Sequence, residues 1–203
     1  MIINTFYPGM FELYCGPMKS GKTREMLNRV DKLRYMDNCK FLFLKPDTDT
    51  RDNLIKSRFG ELSFDCLFVP NDRPEEVLRY IEQDHKMVLI DELQFFSKGI
   101  EKIIEKLQRK NINVIGSGLD LDFRGEPFGR MPQLLSIANY VKKLNAICEY
   151  SRCNNIATRT QRLIDGKPAP YDSPIILVGD QKEGYEPRCL EHHFVPLTCQ
   201  DQR

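Results

Sequence analysis

The chain of 203 residues is long enough for one sizeable domain and a small second unit. Its 30 basic residues nearly balance its 29 acidic ones and form no basic block, which argues against nucleic acid as a partner. Residues 1–16 lack a charged segment followed by a long apolar one, and no apolar run approaches a membrane span. We therefore expect a cytoplasmic protein without membrane contact, whose seven cysteines are thiols or metal ligands.

Residues 10 to about 145 alternate short apolar strands with helical periodicity. In chain order, the predicted elements are a strand over 10–15, a helix over 23–35, strands over 41–44 and 87–92, a helix from Lys98 and a strand over 113–119. This order predicts an α/β fold with a mostly parallel sheet flanked by helices. We assign it to residues 1–145.

The segment GPMKSGKT matches G-x4-G-K-[ST] and stands between a predicted strand and a predicted helix, which indicates a P-loop, RecA-like domain that binds ATP. Its glycines let backbone N–H groups turn toward an anion. Lys22 is expected at the β- and γ-phosphates, and the Thr23 hydroxyl at magnesium. The residues assigned to ATP in this segment are Gly16, Pro17, Met18, Lys19, Ser20, Gly21, Lys22 and Thr23.

Acidic residues follow two of the predicted strands. In KPDTDTR, Asp49 and Arg51 are placed to reach the metal and the phosphates, although the segment taken alone favours a solvated turn. In VLIDE, Asp91 is the expected magnesium ligand at the tip of its strand. Glu92 is expected on the opposite side of the pleat, either as a base near the γ-phosphate or as a carboxylate in water.

From about residue 146 the helical periodicity ends, and prolines, glycines, cysteines and histidines become dense. Residues 158–179 indicate short strands separated by the Asp165-Gly166 turn and a proline-rich loop. We assign residues 146–203 to a second, small domain. It has too few apolar residues for a core of its own, and a bound metal can replace one.

Two sequence segments of this second domain, CEYSRC and CLEHH, offer metal ligands. Cys148, Cys153, Cys189 and His192 supply three thiolates and one imidazole for a closed, structural zinc site. The C-x4-C spacing is less diagnostic than C-x2-C, buried thiols are the alternative, and His193 competes with His192.

Cys15, Cys39 and Cys66 have no partners at metal spacing and are expected in the core. His85 is expected to be a surface residue and not a metal ligand.

The motifs occur in an order that resembles one family. They are GPMKSGKT, the D-T-R of 49–51, DELQFF of 91–96, GLDLDFRGEPFG of 118–129, and a tail containing TRTQRL and GYEPRC. Together they are similar to the type II thymidine kinases, the cellular and bacterial family that carries a zinc-binding lasso domain. The resemblance runs from about residue 9 to residue 194. One departure is Arg58, which stands where the family often has histidine.

The resemblance implies transfer of the γ-phosphoryl group of ATP to the 5′-hydroxyl of thymidine, with deoxyuridine as a second substrate, in nucleotide salvage for DNA synthesis. It makes Glu92, the acid that follows the magnesium-side Asp91, the general base. With Thr23 and Asp49 from the motif and its placement, the expected magnesium ligands are Thr23, Asp49 and Asp91. Lys22, magnesium and Arg51 would offset the charge on the transferring group. The resemblance also implies a homotetramer and feedback inhibition by thymidine triphosphate.

The resemblance further implies a nucleoside pocket of apolar walls and backbone groups. Aromatic faces suit a planar base, although aromatic residues are more often simply core. Backbone groups of 175–179 would bond the polar edge of thymine. The residues that the resemblance assigns to the nucleoside are Met18, Phe95, Leu119, Phe123, Phe128, Thr160, Ile175, Ile176, Leu177, Val178, Gly179 and Tyr185.

Two other functions fit parts of the sequence. One is a P-loop ATPase that acts on nucleic acid and carries a zinc ribbon, which the balanced charge argues against. The other is a nucleotide-binding switch without turnover, which the second acid of VLIDE argues against.

Overall fold

The computed structural model of the chain describes residues 8–31, 39–48, 54–56, 63–176 and 183–197. Through residue 143 the strands are, in chain order, β1 (Phe11–Cys15), β2 (Lys40–Pro46), β3 (Leu54–Lys56), β4 (Ser63–Asp65), β5 (Leu67–Val69), β6 (His85–Ile90), β7 (Asn113–Gly118) and β8 (Tyr140–Lys143). Six of them form one parallel sheet in the order β5-β2-β6-β7-β1-β8, whereas β3 and β4 pair separately and antiparallel. The predicted α/β fold with a mostly parallel sheet is confirmed.

Helices cover both faces of the sheet. Within the described residues they are α1 (Lys22–Asp31), α2 (Ile100–Arg109) and α3 (Met131–Ile137), together with the 3₁₀ helices over Pro74–Tyr80 and Leu93–Phe95. Because successive strand residues point to opposite faces, the sheet feeds two apolar clusters. Leu13 packs in the cluster of α2, which buries Leu107, and Tyr14 packs in the cluster of α1, which buries Leu27.

Three adjacent strands position the site. In the order β6-β7-β1, the carboxyl ends of parallel strands lie side by side at one edge of the sheet. The chain after β1 is the P-loop, the chain after β6 begins with Asp91 and Glu92, and the chain after β7 begins with Leu119 and Asp120. The topology therefore brings these three segments together.

Two residues after β8 the chain enters residues 146–197, which we call the C-terminal module; residues 8–143 are the sheet region. The module's strands are β9 (Ala146–Ile147), β10 (Ile156–Ala157), β11 (Arg159–Ile164), β12 (Lys167–Pro168) and β13 (Glu183–Arg188). β9 and β10 form one antiparallel pair, and β12-β11-β13 form an antiparallel sheet. Its buried apolar cluster consists of Ala146, Cys148, Ala157 and Cys189.

Some sequence expectations need correction. The third predicted strand ends at Ile90, so Asp91 and Glu92 follow it instead of completing it. The expectation that His85 lies on the surface is wrong, since this residue is 5% exposed, and its Nδ1 accepts a hydrogen bond from the Glu82 N–H at 2.8 Å. Cys15 is buried as expected, and burial raises the pKa of its thiol to about 11. Within the described ranges, no helix combines the length and apolar composition needed to cross a membrane.

Candidate active site and metal centre

The P-loop begins in a conformation that requires glycine. Gly16 has φ of 141°, and a Cβ there would lie 2.2 Å from the carbonyl oxygen of Leu144. The loop therefore packs closely against Leu144, between β8 and the C-terminal module. The Ser20 hydroxyl is buried without a hydrogen-bond partner in the described part of the chain, so the loop holds a polar group suited to an incoming anion.

Lys22 is the buried cation of the site. Its Nζ donates to the Pro17 carbonyl oxygen at 2.7 Å. Burial lowers the pKa of this ammonium group, and the nearby carboxylates of Glu92, Asp91 and Asp120 oppose that shift, in this order. The same carboxylates favour the charged form of Lys22, which a phosphate-binding role needs.

Asp91 is held by donors from three segments. Its Oδ2 accepts from the Thr23 hydroxyl at 3.0 Å, and its Oδ1 accepts from the Glu92 N–H at 3.0 Å and from the Ser117 hydroxyl. Adjacent ligands of a magnesium octahedron with bonds of about 2.1 Å lie about 2.9 Å apart. The oxygens of Thr23 and Asp91 match that separation and are the hard donors that magnesium prefers.

Glu92 leaves the strand direction by a backbone turn. Its φ of 55° and ψ of 42° are left-handed and not extended. Strand pleating therefore does not separate Glu92 from Asp91, and the reason given for that expectation is wrong. A non-glycine residue in this region is uncommon and is held by its surroundings. The turn starts the 3₁₀ helix over Leu93–Phe95. It gives Asp91 and Glu92 different side-chain partners, Thr23 and Ser117 for Asp91 and Gln94 for Glu92.

Gln94 connects Glu92 to the predicted nucleoside wall. It is 2% exposed, and its Nε2 donates to the Glu92 carboxylate. Its Oε1 accepts from the Leu119 N–H at 3.0 Å. The Gln94 backbone is also closely packed, since a Cβ at Gly129 would lie 2.4 Å from its carbonyl oxygen. The carboxylate is thus oriented by a side chain that cannot shift freely.

The apolar residues assigned to the nucleoside lie mainly after β7. Leu119, Phe123 and Phe128 are 8%, 3% and 8% exposed, and Phe95 is half-buried. The rings of Phe95 and Phe128 meet edge to face with centroids 5.6 Å apart. These residues can form the wall of a pocket for a planar, largely apolar group.

The C-terminal module contacts the P-loop at two points. The Met18 N–H donates to the Thr160 hydroxyl oxygen at 3.0 Å, and Thr160 is 2% exposed. Lys19 Nζ lies 2.6 Å from the Glu149 carboxylate. Two residues assigned to the nucleoside, Met18 and Thr160, are therefore neighbours although one belongs to each region.

Other assigned residues of the module lie on or near its antiparallel sheet. Tyr185 is half-buried on β13, in register with Arg162 on β11. Ile175 and Ile176 are 39% and 42% exposed, which is high for isoleucine side chains. Asp49, Arg51, Arg58, Leu177, Val178 and Gly179 lie outside the described residues.

Four ligand atoms meet in the C-terminal module. Those of Cys148, Cys153, Cys189 and His192 all lie within 4.8 Å of one another. The measured pairs are 4.0 Å for Cys153 Sγ to Cys189 Sγ, 3.9 Å for Cys148 Sγ to His192 Nδ1, and 3.2 Å for Cys189 Sγ to His192 Nδ1. A zinc tetrahedron with bonds of about 2.0–2.3 Å has edges of about 3.5–3.8 Å. The cluster fits zinc in ligand type and in size.

The two neighbouring histidines point to different partners. His192 Nδ1 faces the thiols, and its ring stacks on Tyr150 with centroids 4.1 Å apart and planes 8° apart. His193 Nε2 instead contacts the Phe123 carbonyl oxygen at 2.8 Å. The geometry therefore favours His192 over His193 as the fourth member of the cluster.

The thiol chemistry also suits a metal. Burial raises the pKa of the Cys148 thiol, but backbone hydrogen bonds from Cys189 and Tyr150 outweigh it and lower the pKa to about 7. The four residues between Cys148 and Cys153 are all exposed, and Arg152 has a left-handed φ of 60°. The four intervening residues thus point toward solvent, and the ligand atoms of Cys148 and Cys153 remain close together.

Sequence reasoning missed several residues of the site. Ser117, Gln94 and Glu149 carry no motif signature of their own, because their roles depend on contacts between distant segments. Gln94 is part of the DELQFF segment, which was the only sequence signal for it.

A comparison with known protein families gives one match. The family described as thymidine kinase matches residues 9–193, which is most of the chain.

Proposed function

The chain belongs to the thymidine kinase family, and from this premise we propose that it transfers the γ-phosphoryl group of ATP to the 5′-hydroxyl of thymidine. Deoxyuridine is the proposed second substrate and thymidine monophosphate the product. The observation that carries the proposal is the Lys22, Asp91 and Glu92 cluster, joined through Gln94 to the apolar residues after β7.

The P-loop is the proposed ATP site. Its buried Lys22 ammonium uses one hydrogen on the Pro17 carbonyl, and an ammonium has three. The remaining donors suit the β- and γ-phosphate oxygens, as does the buried Ser20 hydroxyl. Thr23 and Asp91 would hold magnesium, with Asp49 and Arg51 as proposed additions. Bound magnesium would neutralise charge on the phosphates.

Glu92 is the proposed general base. Its carboxylate accepts the proton of the 5′-hydroxyl as that oxygen forms a bond to the γ-phosphorus, while the bond from phosphorus to the bridging oxygen breaks and ADP leaves. Gln94 holds the carboxylate in place during this step, because its other end is fixed by the Leu119 N–H.

The proposed nucleoside pocket lies between the sheet region and the C-terminal module. Leu119, Phe123, Phe128, Phe95 and Met18 would surround the base, and Thr160 and Tyr185 would approach from the module. We also propose that backbone groups of 175–179 bond the polar edge of the base. The exposed side chains of Ile175 and Ile176 support this, since a segment that uses its backbone leaves its side chains outside.

A structural zinc is proposed in the C-terminal module, held by Cys148, Cys153, Cys189 and His192. All four positions would be protein ligands, so the ion would stabilise the module and take no part in the reaction. The small apolar cluster around it supports this role. From the family we further propose a cytoplasmic homotetramer that is inhibited by thymidine triphosphate.

The proposal is tested by a phosphorylation assay over the natural nucleosides with magnesium and ATP. We expect thymidine to be the best acceptor and deoxyuridine the second, with the phosphate on the 5′-oxygen of the product by NMR. A preference for ribonucleosides or purines would contradict the assignment. ATP hydrolysis stimulated by DNA, without any nucleoside phosphorylation, would favour the nucleic-acid ATPase instead.

A further inference from the structure

Two arginines converge on the backbone that precedes Ile175. Arg162 on β11 is 0% exposed, and Arg124 lies in the loop between β7 and α3, half-buried. Resting on the proposed function, we propose that both are positioning residues that determine the affinity and selectivity for the nucleoside. They act by fixing the course of the chain at Ser173 and Pro174.

The arginines hold successive carbonyl groups. Arg162 Nη1 donates to the Pro174 carbonyl oxygen, and Arg124 Nη2 donates to the Ser173 carbonyl oxygen at 2.9 Å. One arginine belongs to the C-terminal module and the other to the sheet region. The segment before Ile175 is therefore fixed relative to both regions at adjacent peptide units.

The same guanidinium groups lie against one aromatic residue of the proposed base wall. The central carbon of Arg162 is 5.5 Å from the Phe123 ring centroid, and that of Arg124 is 5.4 Å from it. Phe123 is 3% exposed, so these cation–π contacts are shielded from water. A shift of either arginine would move the ring and the carbonyl groups together.

Arg124 is itself braced. Its guanidinium lies 4.5 Å from the ring centroid of Tyr171, whose hydroxyl donates to Glu126 at 2.6 Å. The Tyr171 N–H donates to the Pro196 carbonyl oxygen at 2.8 Å, near the end of the described module. These contacts limit the positions open to the Arg124 side chain.

The complete burial of Arg162 needs an explanation beyond packing. Removing a guanidinium from water is costly, and arginine is rarely fully buried. A methionine side chain has much of the same apolar bulk but cannot donate to Pro174. The planar donor group is what the site uses, because it can bond a carbonyl and lie against a ring at once.

The experiment compares Arg162→Met, Arg124→Met and the matched control Arg79→Met, whose side chain is exposed on the Pro74–Tyr80 helix. We expect each of the first two to raise KM for thymidine roughly tenfold, the scale of one lost charge-assisted hydrogen bond, with KM for ATP within about twofold of wild type. The preference for thymidine over deoxyuridine in kcat/KM should fall toward unity. The control should change none of these values.

Two further variants separate positioning from general stability. Arg162→Lys keeps the charge without the planar donor group, so it should recover only part of the thymidine affinity. Because both arginines act on one segment, the double methionine variant should lose less than the product of the single losses. Thermal melting and zinc content identify variants that have lost the fold, and Arg162→Lys and Arg124→Met carry the test if Arg162→Met does not fold.

Unchanged KM for thymidine, or equal increases in KM for thymidine and ATP, would overturn the inference while leaving the kinase activity of the wild type intact. Wild-type protein that phosphorylates no nucleoside would overturn the proposed function, and this inference with it.

Discussion

The sheet region and the C-terminal module are stabilised by different interactions. The sheet region buries two large clusters of aliphatic and aromatic side chains, one on each face of six parallel strands. Among its described residues, the module's buried apolar cluster consists of two alanines and two cysteines. Its order comes from polar contacts instead: the thiol and imidazole cluster, the buried arginine on β11 and the paired strands around it.

This difference predicts which substitutions or losses should destabilise each region. The stability of the sheet region should depend little on a bound metal or on surface substitutions, because it comes from apolar burial. The module depends on a few polar contacts, so removing one partner should destabilise it. The difference also matches the proposed function, since the proposed reacting groups lie on the sheet region and several of the proposed nucleoside contacts lie on the module. Stability, turnover and nucleoside affinity should therefore respond separately.

The largest effect is expected from Glu92→Gln in the sheet region. The amide retains a polar contact to Gln94 but does not accept a proton at the pH of the reaction, so kcat should fall about 10²–10⁴-fold. KM for ATP and thymidine should stay within about threefold of wild type, because the change removes no binding contact. Single-turnover phosphorylation measures the loss of turnover. Glu75→Gln, at an exposed position of the Pro74–Tyr80 helix, is the control. Near-normal thymidine monophosphate formation would exclude Glu92 as the base.

The second prediction concerns the apolar core. Leu107→Ala removes a completely buried side chain of α2 and should lower the free energy of unfolding by about 2–5 kcal/mol. Zinc content and KM for thymidine should not change in the folded fraction. Urea denaturation followed by circular dichroism gives the stability, and Lys106→Ala, an exposed position on the same helix, is the control. A simultaneous loss of zinc would show that the two regions are not separable in this way.

The reverse pattern is expected for the metal cluster. The wild type is expected to hold about one zinc per chain, and Cys189→Ser should lower that content strongly. KM for thymidine should rise about 10–100-fold, because the module loses the ligand set that holds it in place. Metal analysis and steady-state kinetics report the two effects, and chelation of the wild type should reproduce them. Cys39→Ser, a half-buried thiol of the sheet region, is the control. Full activity in zinc-free protein would contradict the structural role.

The smallest effect is expected where the two regions meet. Glu149→Gln removes the ion pair with Lys19. The side chains of Lys19 and Glu149 are 34% and 39% exposed. Partly exposed pairs contribute about 0–1 kcal/mol, so KM for ATP should change less than about fivefold, and the change should shrink in high salt. Glu191→Gln, an exposed position in the same module, serves as control. A larger, salt-independent effect would mean that this contact orders the P-loop.

The sequence predicted the sheet region well because its pattern is local. Apolar runs and helical spacing located β1, β2, β6, β7, α1 and α2, and strand-loop-helix context located the P-loop. β8 was missed, since YVKK alternates between half-buried and exposed positions and has no apolar run. The end of β6 was placed two residues late, because the apolar run gives no sign of the left-handed turn at Glu92 or of the distant contact between Asp91 and Ser117.

The site was only partly predictable for the same reason. Metal spacing suggested the ligand types, but the choice between His192 and His193 required the position of the Phe123 carbonyl, which is 70 residues away along the chain. Arg162 lies in the TRTQRL segment, but nothing in the sequence marked it as buried, because a single arginine in a strand is ordinarily exposed. Its burial follows from where Pro174 and Phe123 lie in three dimensions.

The adjacent histidines would let the proposed zinc site serve as an optical reporter. His192 belongs to the cluster, and the next residue contacts the backbone of Phe123 in the proposed base wall. Cobalt placed in the four-ligand site would have visible absorption bands that depend on the geometry of its ligands. Nucleoside binding that moves Phe123 would reach His192 through one peptide unit, so the colour of the cobalt protein should follow occupancy of the pocket, without a label on either substrate.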